Sequence, residues 1–230
     1  MMKLGIMQPY FMPYIGYFQL IKAVDEYVVY DDVNYIKGGW INRNNILVNG
    51  EKKLFTIILR GASPYKLINE IEIGDDFKKF LKTIQLSYSK AAYFDEVIIL
   101  IEKIISFNNK NLSDFTANSI LEIINFLDIK TKVHISSNLE KNISLKGKDK
   151  VINICEKLGA TSYYNAIGGQ ALYEKIEFKA HGIDLFFLKS EIETYNQYNN
   201  CYIPNLSIID VLMHNSKKET NRLLDCYSII

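Results

Sequence analysis

The chain has 230 residues, with 27 basic against 26 acidic side chains and a formal net charge of +1. That balance gives no electrostatic reason to expect nucleic acid or an anionic membrane as the main partner. Apolar residues make up 48% of the sequence, enough for the interior of one domain, and no apolar run approaches bilayer-spanning length.

The first element is a short apolar run, residues 4–7, which reads as a buried strand. Gln8 and Pro9 then open a loop with Tyr10, Phe11, Pro13 and Tyr14, and Gly16 leads into a helix over 16–24. Residues 27–30 form a second all-apolar strand ending in Asp31-Asp32. Strand, helix, strand with short connections is the parallel crossover unit, whose carboxyl ends bind ligands in open α/β sheets. Residues 8–14 and 31–37 are therefore expected side by side. Residues 45–48 and 54–59 read as a hairpin around Asn49-Gly50. Helices are expected over 75–88, 93–105 and 113–127, with Ser113 as the N-cap of the third.

A strand over 132–135 and a helix over 148–158 closed by Gly159 come next. Strands follow over 161–164 and 184–188, the latter expected to be the last, and terminal helices over 207–215 and 218–227. The resulting fold class is α/β: a three-layer core with a mainly parallel sheet and a helical insertion at about 75–127, in one domain spanning 1–230.

Cys155, Cys201 and Cys226 are odd in number and widely spaced, giving neither a disulfide framework nor metal spacing. A reducing cytoplasm is the expected location. Gln8, Pro9 and Pro13 interrupt any leader-like apolar stretch. His134, His181 and His214 are scattered without a metal partner at helical spacing, and no nucleophile elbow or Cys/His pair is present.

The candidate site is assembled from loops. Gln8, Pro9, Tyr10, Tyr14, Gly16 and Tyr17 offer amide, phenol and backbone donors on a proline-stiffened loop at a helix start; the competing reading is an aromatic core plug. Asp31 and Asp32 point to opposite faces of their strand, so one is expected to face the ligand edge. Lys37, Asn42 and Arg43 surround the only Trp, Trp40, and suit a phosphate or carboxylate. Tyr164, Asn165, Gly168 and Gly169 follow a strand and are expected to open a helix, where paired glycines can present backbone N–H groups or simply make a turn. Asn205 and Ser207 are alternative caps for a helix whose first turn holds Asp210, a position the macrodipole favours without any function.

Taken together, Gln8 to Tyr17, Asp31-Asp32, Trp40 to Asn44, Tyr164 to Tyr173 and Ile203 to Asp210 resemble the WbqC-like family of bacteria over nearly the whole chain. The resemblance implies a gene context of O-antigen and other surface polysaccharides. In layout, the first 32 residues are also similar to the nucleotidyltransferase superfamily. There Tyr14 and Tyr17 would stand where that superfamily carries the two histidines of His-x-Gly-His. A neutral phenol donates to a phosphate oxygen without the charge of an imidazolium. Adenylyl transfer would then need Lys37 or Arg43 to supply that charge.

The expected function is a cytoplasmic enzyme of surface-polysaccharide (lipopolysaccharide) synthesis acting on a nucleotide-linked sugar. In its most concrete form it transfers an acyl or aminoacyl group to an amino sugar, with ATP activating the acid. Its expected catalytic groups are Asp31, Asp32, Lys37 and Arg43, with no metal site. The expected partners are a sugar nucleotide and an acyl or amino-acid donor, with homodimer formation left open. A non-catalytic sugar-nucleotide-binding or assembly factor is the alternative, and a tyrosine-faced docking protein a third reading.

Overall fold

A computed structural model describes residues 1–191, 193–198 and 201–230. Among the described residues, a six-stranded sheet runs β10-β9-β8-β1-β2-β7. Its strands are β1 (Lys3–Met7), β2 (Glu26–Val29), β7 (Lys132–Ile135), β8 (Ser162–Ala166), β9 (Asp184–Ser190) and β10 (Tyr227–Ile229). All neighbours are parallel except β10, which runs antiparallel to β9.

Apolar side chains of successive strand residues alternate between two faces. Tyr27 and Val29 pack with Tyr17, Phe18, Leu20 and Ile21 of helix α1 (Ile15–Lys22). Leu4, Ile6, Val28 and Tyr163 pack instead with Val151, Ile152, Ile154 and Cys155 of helix α5 (Gly147–Leu158). The sheet is thus buried on both faces, the expected three-layer α/β core.

The five parallel strands, numbered by their own chain order, lie in the spatial order 3-2-1-4-5. Chain progress therefore reverses between β1 and β8, the kind of switch point where open α/β sheets take ligands.

Between β2 and β7 lie the hairpin β3–β4 (Arg43–Val48 and Glu51–Thr56), the short pair β5–β6 (Leu59–Arg60 and Glu72–Ile73), and helices α2 (Lys78–Tyr88), α3 (Phe94–Ile105) and α4 (Leu112–Phe126). Their apolar faces share one continuous core with α1. Phe11 is its hub: fully buried, with ring centroids 5.7–6.1 Å from Phe55, Phe77, Phe80 and Phe115.

Several local expectations are corrected. Asn49 and Gly50 both take positive φ, so Val48 pairs directly with Glu51. That two-residue turn forces β4 to begin at Glu51, well before the expected residue 54. Helix α2 begins at Lys78 because the Asp75 and Asp76 carboxylates accept the Phe77 and Lys78 N–H groups and hold an Asx-type start.

Asn111, not Ser113, caps α4: its side chain accepts from the Ser113 and Asp114 N–H groups. The last strand is β10, not β9. The final helix, α8 (Lys217–Leu223), stops early, and Tyr227–Ile229 returns to pair with β9. The Gly168-Gly169 segment opens no α-helix; it forms a 3₁₀ turn over Ile167–Leu172 ahead of the short α6 (Lys175–Lys179). The remaining helix is α7 (Ile208–His214).

Phe11→Ala is expected to cost about 3–5 kcal/mol, since it empties the centre of four rings. Urea unfolding would show this as a lower midpoint at unchanged slope.

Candidate functional site

The carboxyl edge of the sheet gathers most of the expected residues, through a few specific bonds. The loop after β1 is held by main-chain bonds from Phe11 N–H to the Ile41 carbonyl (2.9 Å) and from Ile208 N–H to the Pro13 carbonyl (2.7 Å). The Met12 carbonyl accepts Asn44 Nδ2 (2.8 Å) and Ser207 Oγ (2.6 Å). Ser207 is also the N-cap of α7, its hydroxyl accepting the Ile209 N–H. Ser207 therefore ties the far end of the chain to the first loop, while Asn205 is exposed, with positive φ, just before it.

Within the loop the tyrosines divide. Tyr17 is wholly buried, donating to the Gln8 carbonyl at 3.1 Å and packing edge-on against Tyr27. It serves as the aromatic plug. Tyr10 and Tyr14 are half-buried, and neither their hydroxyls nor the Gln8 amide has a hydrogen-bond partner among the described residues. Burial pushes the Tyr10 phenol up to about 12, helped by the neighbouring Tyr14 phenol. Both stay neutral donors at physiological pH. Pro9 is buried.

Gly16 is required by Tyr14. A Cβ at position 16 would sit 2.2 Å from Tyr14 Cε2, so the ring lies across the bare helix start. Asn165 and Gly169 repeat this device on the other side of the switch point. The Asn165 side chain accepts the Ala166 N–H at 2.8 Å, and a Cβ on Gly169 would meet its Nδ2 at 2.3 Å. At Gly168 a Cβ would meet nothing within 4 Å. Tyr164 lies further back on β8, stacked on Phe186 at 5.1 Å.

Strand alternation continues past β2 and parts the two carboxylates. Asp31 turns toward α4. It is 1% exposed and accepts Ser113 Oγ (3.1 Å), Ser137 N–H (2.9 Å), Ser137 Oγ (2.7 Å) and Asn69 Nδ2 (3.4 Å). Asp32 turns toward α5. Its Oδ2 lies 2.9 Å from both Lys141 Nζ and Lys150 Nζ, and its Oδ1 accepts Ser136 Oγ at 2.7 Å. Burial alone would raise the Asp32 carboxyl, but hydrogen bonds from Lys150, Ser136 and Lys141 more than reverse that and hold it below its ordinary value.

The remaining candidates are spread out. Asn42 is buried, accepting from the Tyr35 hydroxyl and donating to the Ile57 carbonyl, both at 2.9 Å. Arg43 folds back on its own loop, with Nε to the Gly39 carbonyl at 2.9 Å and the guanidinium over the Trp40 ring at 5.8 Å. Lys37 is exposed, with no partner among the described residues.

Lys141, Lys150 and Ser136 escape the sequence reading. Lys150 could have been found, because it falls on the apolar stripe of α5 with Val151, Ile154 and Cys155. Ser136 opens a single 3₁₀ turn and Lys141 lies in the loop after it, neither in a periodic segment.

Asp210 gives a second surprise. It is wholly buried and accepts from the Tyr88 hydroxyl (2.9 Å), the Tyr195 hydroxyl (2.7 Å) and Gln197 Nε2 (2.6 Å). Asn199 and Asn200 of the same polar stretch lie outside the described residues. Two clefts, of about 450 Å³ between β4 and α2 and about 400 Å³ beside α6, lie away from the first loop and from Asp31 and Asp32.

Gly16→Ala is expected to destabilise by about 1–3 kcal/mol through overpacking against Tyr14, read by urea unfolding. The Asp32 carboxyl lies below its unfolded value, so its stabilising contribution is full above about pH 5 and is lost as pH falls through the folded value. Melting temperature should accordingly fall more steeply between about pH 5 and 3 in the wild type than in Asp32→Asn.

Comparison with known proteins agrees with this arrangement of motifs. A curated relative, Uncharacterized protein Rv1507c of Mycobacterium tuberculosis (strain ATCC 25618 / H37Rv), is 26% identical over 231 residues, covering 98% of this chain and 99% of the relative. No solved structure matches the chain. Residues 8–222, which span the first loop, both edge carboxylates, the Gly168-Gly169 turn and the Ser207 cap, match the WbqC-like protein family, and the chain belongs to it.

Proposed function

We propose that this protein binds a nucleotide-linked sugar across the carboxyl edge of its parallel sheet, in the formation of bacterial surface polysaccharide. One observation carries the reading. The strand order reverses between β1 and β8, and the two loops leaving that point are the Gln8–Tyr14 loop and the Gly168-Gly169 turn. The Gln8 amide and the Tyr10 and Tyr14 hydroxyls, without protein partners among the described residues, suit sugar hydroxyls and phosphate oxygens. The loop is fixed in advance by its bonds to Ile41, Asn44, Ser207 and Ile208, which lowers the ordering cost of binding. The polysaccharide context rests on the family resemblance.

Acyl or aminoacyl transfer to an amino sugar, with ATP activating the acid, is the enzymatic form of this reading. What supports it is Asp32, an ionised carboxylate beside two ammonium groups. It can accept the proton of an attacking amine. A non-catalytic binding factor is favoured by a different observation: both edge carboxylates already have protein partners, Asp31 in Ser113, Ser137 and Asn69 and Asp32 in Lys141, Lys150 and Ser136.

A thermal-shift screen of nucleotides and nucleotide sugars tests the binding. A specific ligand should raise the melting temperature with the logarithm of its concentration, and a flat response to every nucleotide sugar would sink the proposal. Mass analysis after incubation with ATP, glycine and a dTDP-amino sugar separates the two forms. Asp32→Asn should keep binding and lose turnover if the protein is a transferase. Binding without product across a panel of acyl donors supports the non-catalytic form.

A further inference from the structure

Two lysines and one carboxylate meet at the end of β2. The side chains of Lys141 and Lys150 are only 1% and 8% exposed, rare for an ammonium group. Both converge on one oxygen, Oδ2 of Asp32, at 2.9 Å each. Lys150 also donates to the Asp32 carbonyl at 2.7 Å, and Lys141 to the Ser136 carbonyl. An ammonium has three N–H groups, so each lysine keeps one donor without a protein acceptor among the described residues.

The local charge does not balance. Asp31, the adjacent carboxylate, is turned to the other face of the sheet and taken up by its own donors. The Tyr30 ring lies under Lys150, 5.3 Å from Nζ, and its hydroxyl is buried with no partner among the described residues. Tyr30 and Tyr173, the latter just past the Gly168-Gly169 turn, pack against the same α5-side core. The cluster follows the carboxyl end of β2, the neighbour of β1, and so lies at the carboxyl edge of the sheet. A buried excess of positive charge next to an unpaired hydroxyl is costly unless an anion completes it.

We infer that Lys141 and Lys150, with the Tyr30 hydroxyl, form the subsite that holds the phosphate groups of the ligand, and that Asp32 is the resident counter-ion keeping both ammonium groups in place. This rests on the nucleotide-sugar reading of the same edge and adds the groups that would grip the diphosphate. Lysine binds phosphate as a point charge, without the planar geometry an Arg pair requires. Asp32 offsets part of the ammonium charge that the ligand would meet, so its removal must strengthen anion binding. A mere tether between β2 and α5 would have no such effect.

Calorimetric titration with inorganic pyrophosphate and with UDP tests this on the full chain. The wild type should bind pyrophosphate in a salt-dependent manner. Lys141→Met and Lys150→Met should each weaken binding by about tenfold or more, as expected for losing a hydrogen bond to a charged group, while Lys150→Arg retains most of it. Asp32→Asn should bind pyrophosphate more tightly than the wild type.

Where a Met variant fails to fold, Asp32→Asn carries the test: pyrophosphate must raise its melting temperature more than that of the wild type. Pyrophosphate that binds neither the wild type nor Asp32→Asn overturns the subsite. So does UDP binding that is unchanged in both Met variants, an outcome that leaves the nucleotide reading standing. Lysine-dependent pyrophosphate binding with no response to any nucleotide or nucleotide sugar supports the subsite and overturns the nucleotide reading instead.

Discussion

The structure turns on the carbonyl of Met12. This residue has a φ of 47°, an uncommon conformation for a side chain of its size. The carbonyl accepts both the Asn44 amide and the Ser207 hydroxyl. Neighbouring main-chain bonds from Phe11 to Ile41 and from Ile208 to Pro13 extend the same clamp. Three segments far apart in sequence are thereby locked at one point. The clamp also decides which way the loop faces: Phe11 is driven into the aromatic core, while Tyr10 and Tyr14 remain half-exposed beside Gln8. Conserving the loop composition alone would not achieve this; the partners on β3 and α7 are required.

Strand alternation then separates charge at the edge. Asp31 and Asp32 are adjacent in sequence, yet the pleat sends them to opposite layers. Asp31 becomes an anchor that draws α4 and the Ser137 turn onto the end of β2. Asp32 becomes the partner of two lysines on the α5 side. The two carboxylates thus acquire different partners by geometry alone. The glycines work to a similar end. Gly16 and Gly169 are spaces reserved for the Tyr14 ring and the Asn165 amide, so each positions a side chain and neither serves as a hinge.

Much of this was legible in the residues. The apolar runs in β1 and β2, the Asn49-Gly50 turn and the Gly159 cap act locally, and they appear where sequence puts them. Gly159 takes the left-handed φ of 71° that a helix C-cap needs. Elements defined by distant partners were not legible. Three residues, Tyr227–Ile229, become a strand only because β9 offers them an edge. Ser113 looked like a cap but is drawn inward by Asp31, a residue 82 positions away. Asp210 sits in a helix first turn, as the macrodipole favours, yet its burial depends on Tyr88, Tyr195 and Gln197 from other segments. In the candidate site, the loops could be read as polar and shaped. Which polar groups are left without a protein partner could not, because that depends on every donor and acceptor around them.

Pre-pairing of the edge charges has a consequence for selectivity. A pair of bare lysines would attract any small anion. With Asp32 seated between them, an incoming anion meets two ammonium groups whose charge is already partly offset. A small singly charged ion makes few contacts there. A diphosphate presents several oxygens and more than one negative charge, so it can engage both spare ammonium donors and the Tyr30 hydroxyl at once. The resident counter-ion lowers affinity for every anion, and a diphosphate regains it by engaging more donors at once; discrimination among ligands is a difference of that kind. The same carboxylate offsets the ammonium charges when no ligand is bound, which keeps two buried lysines compatible with a stable fold.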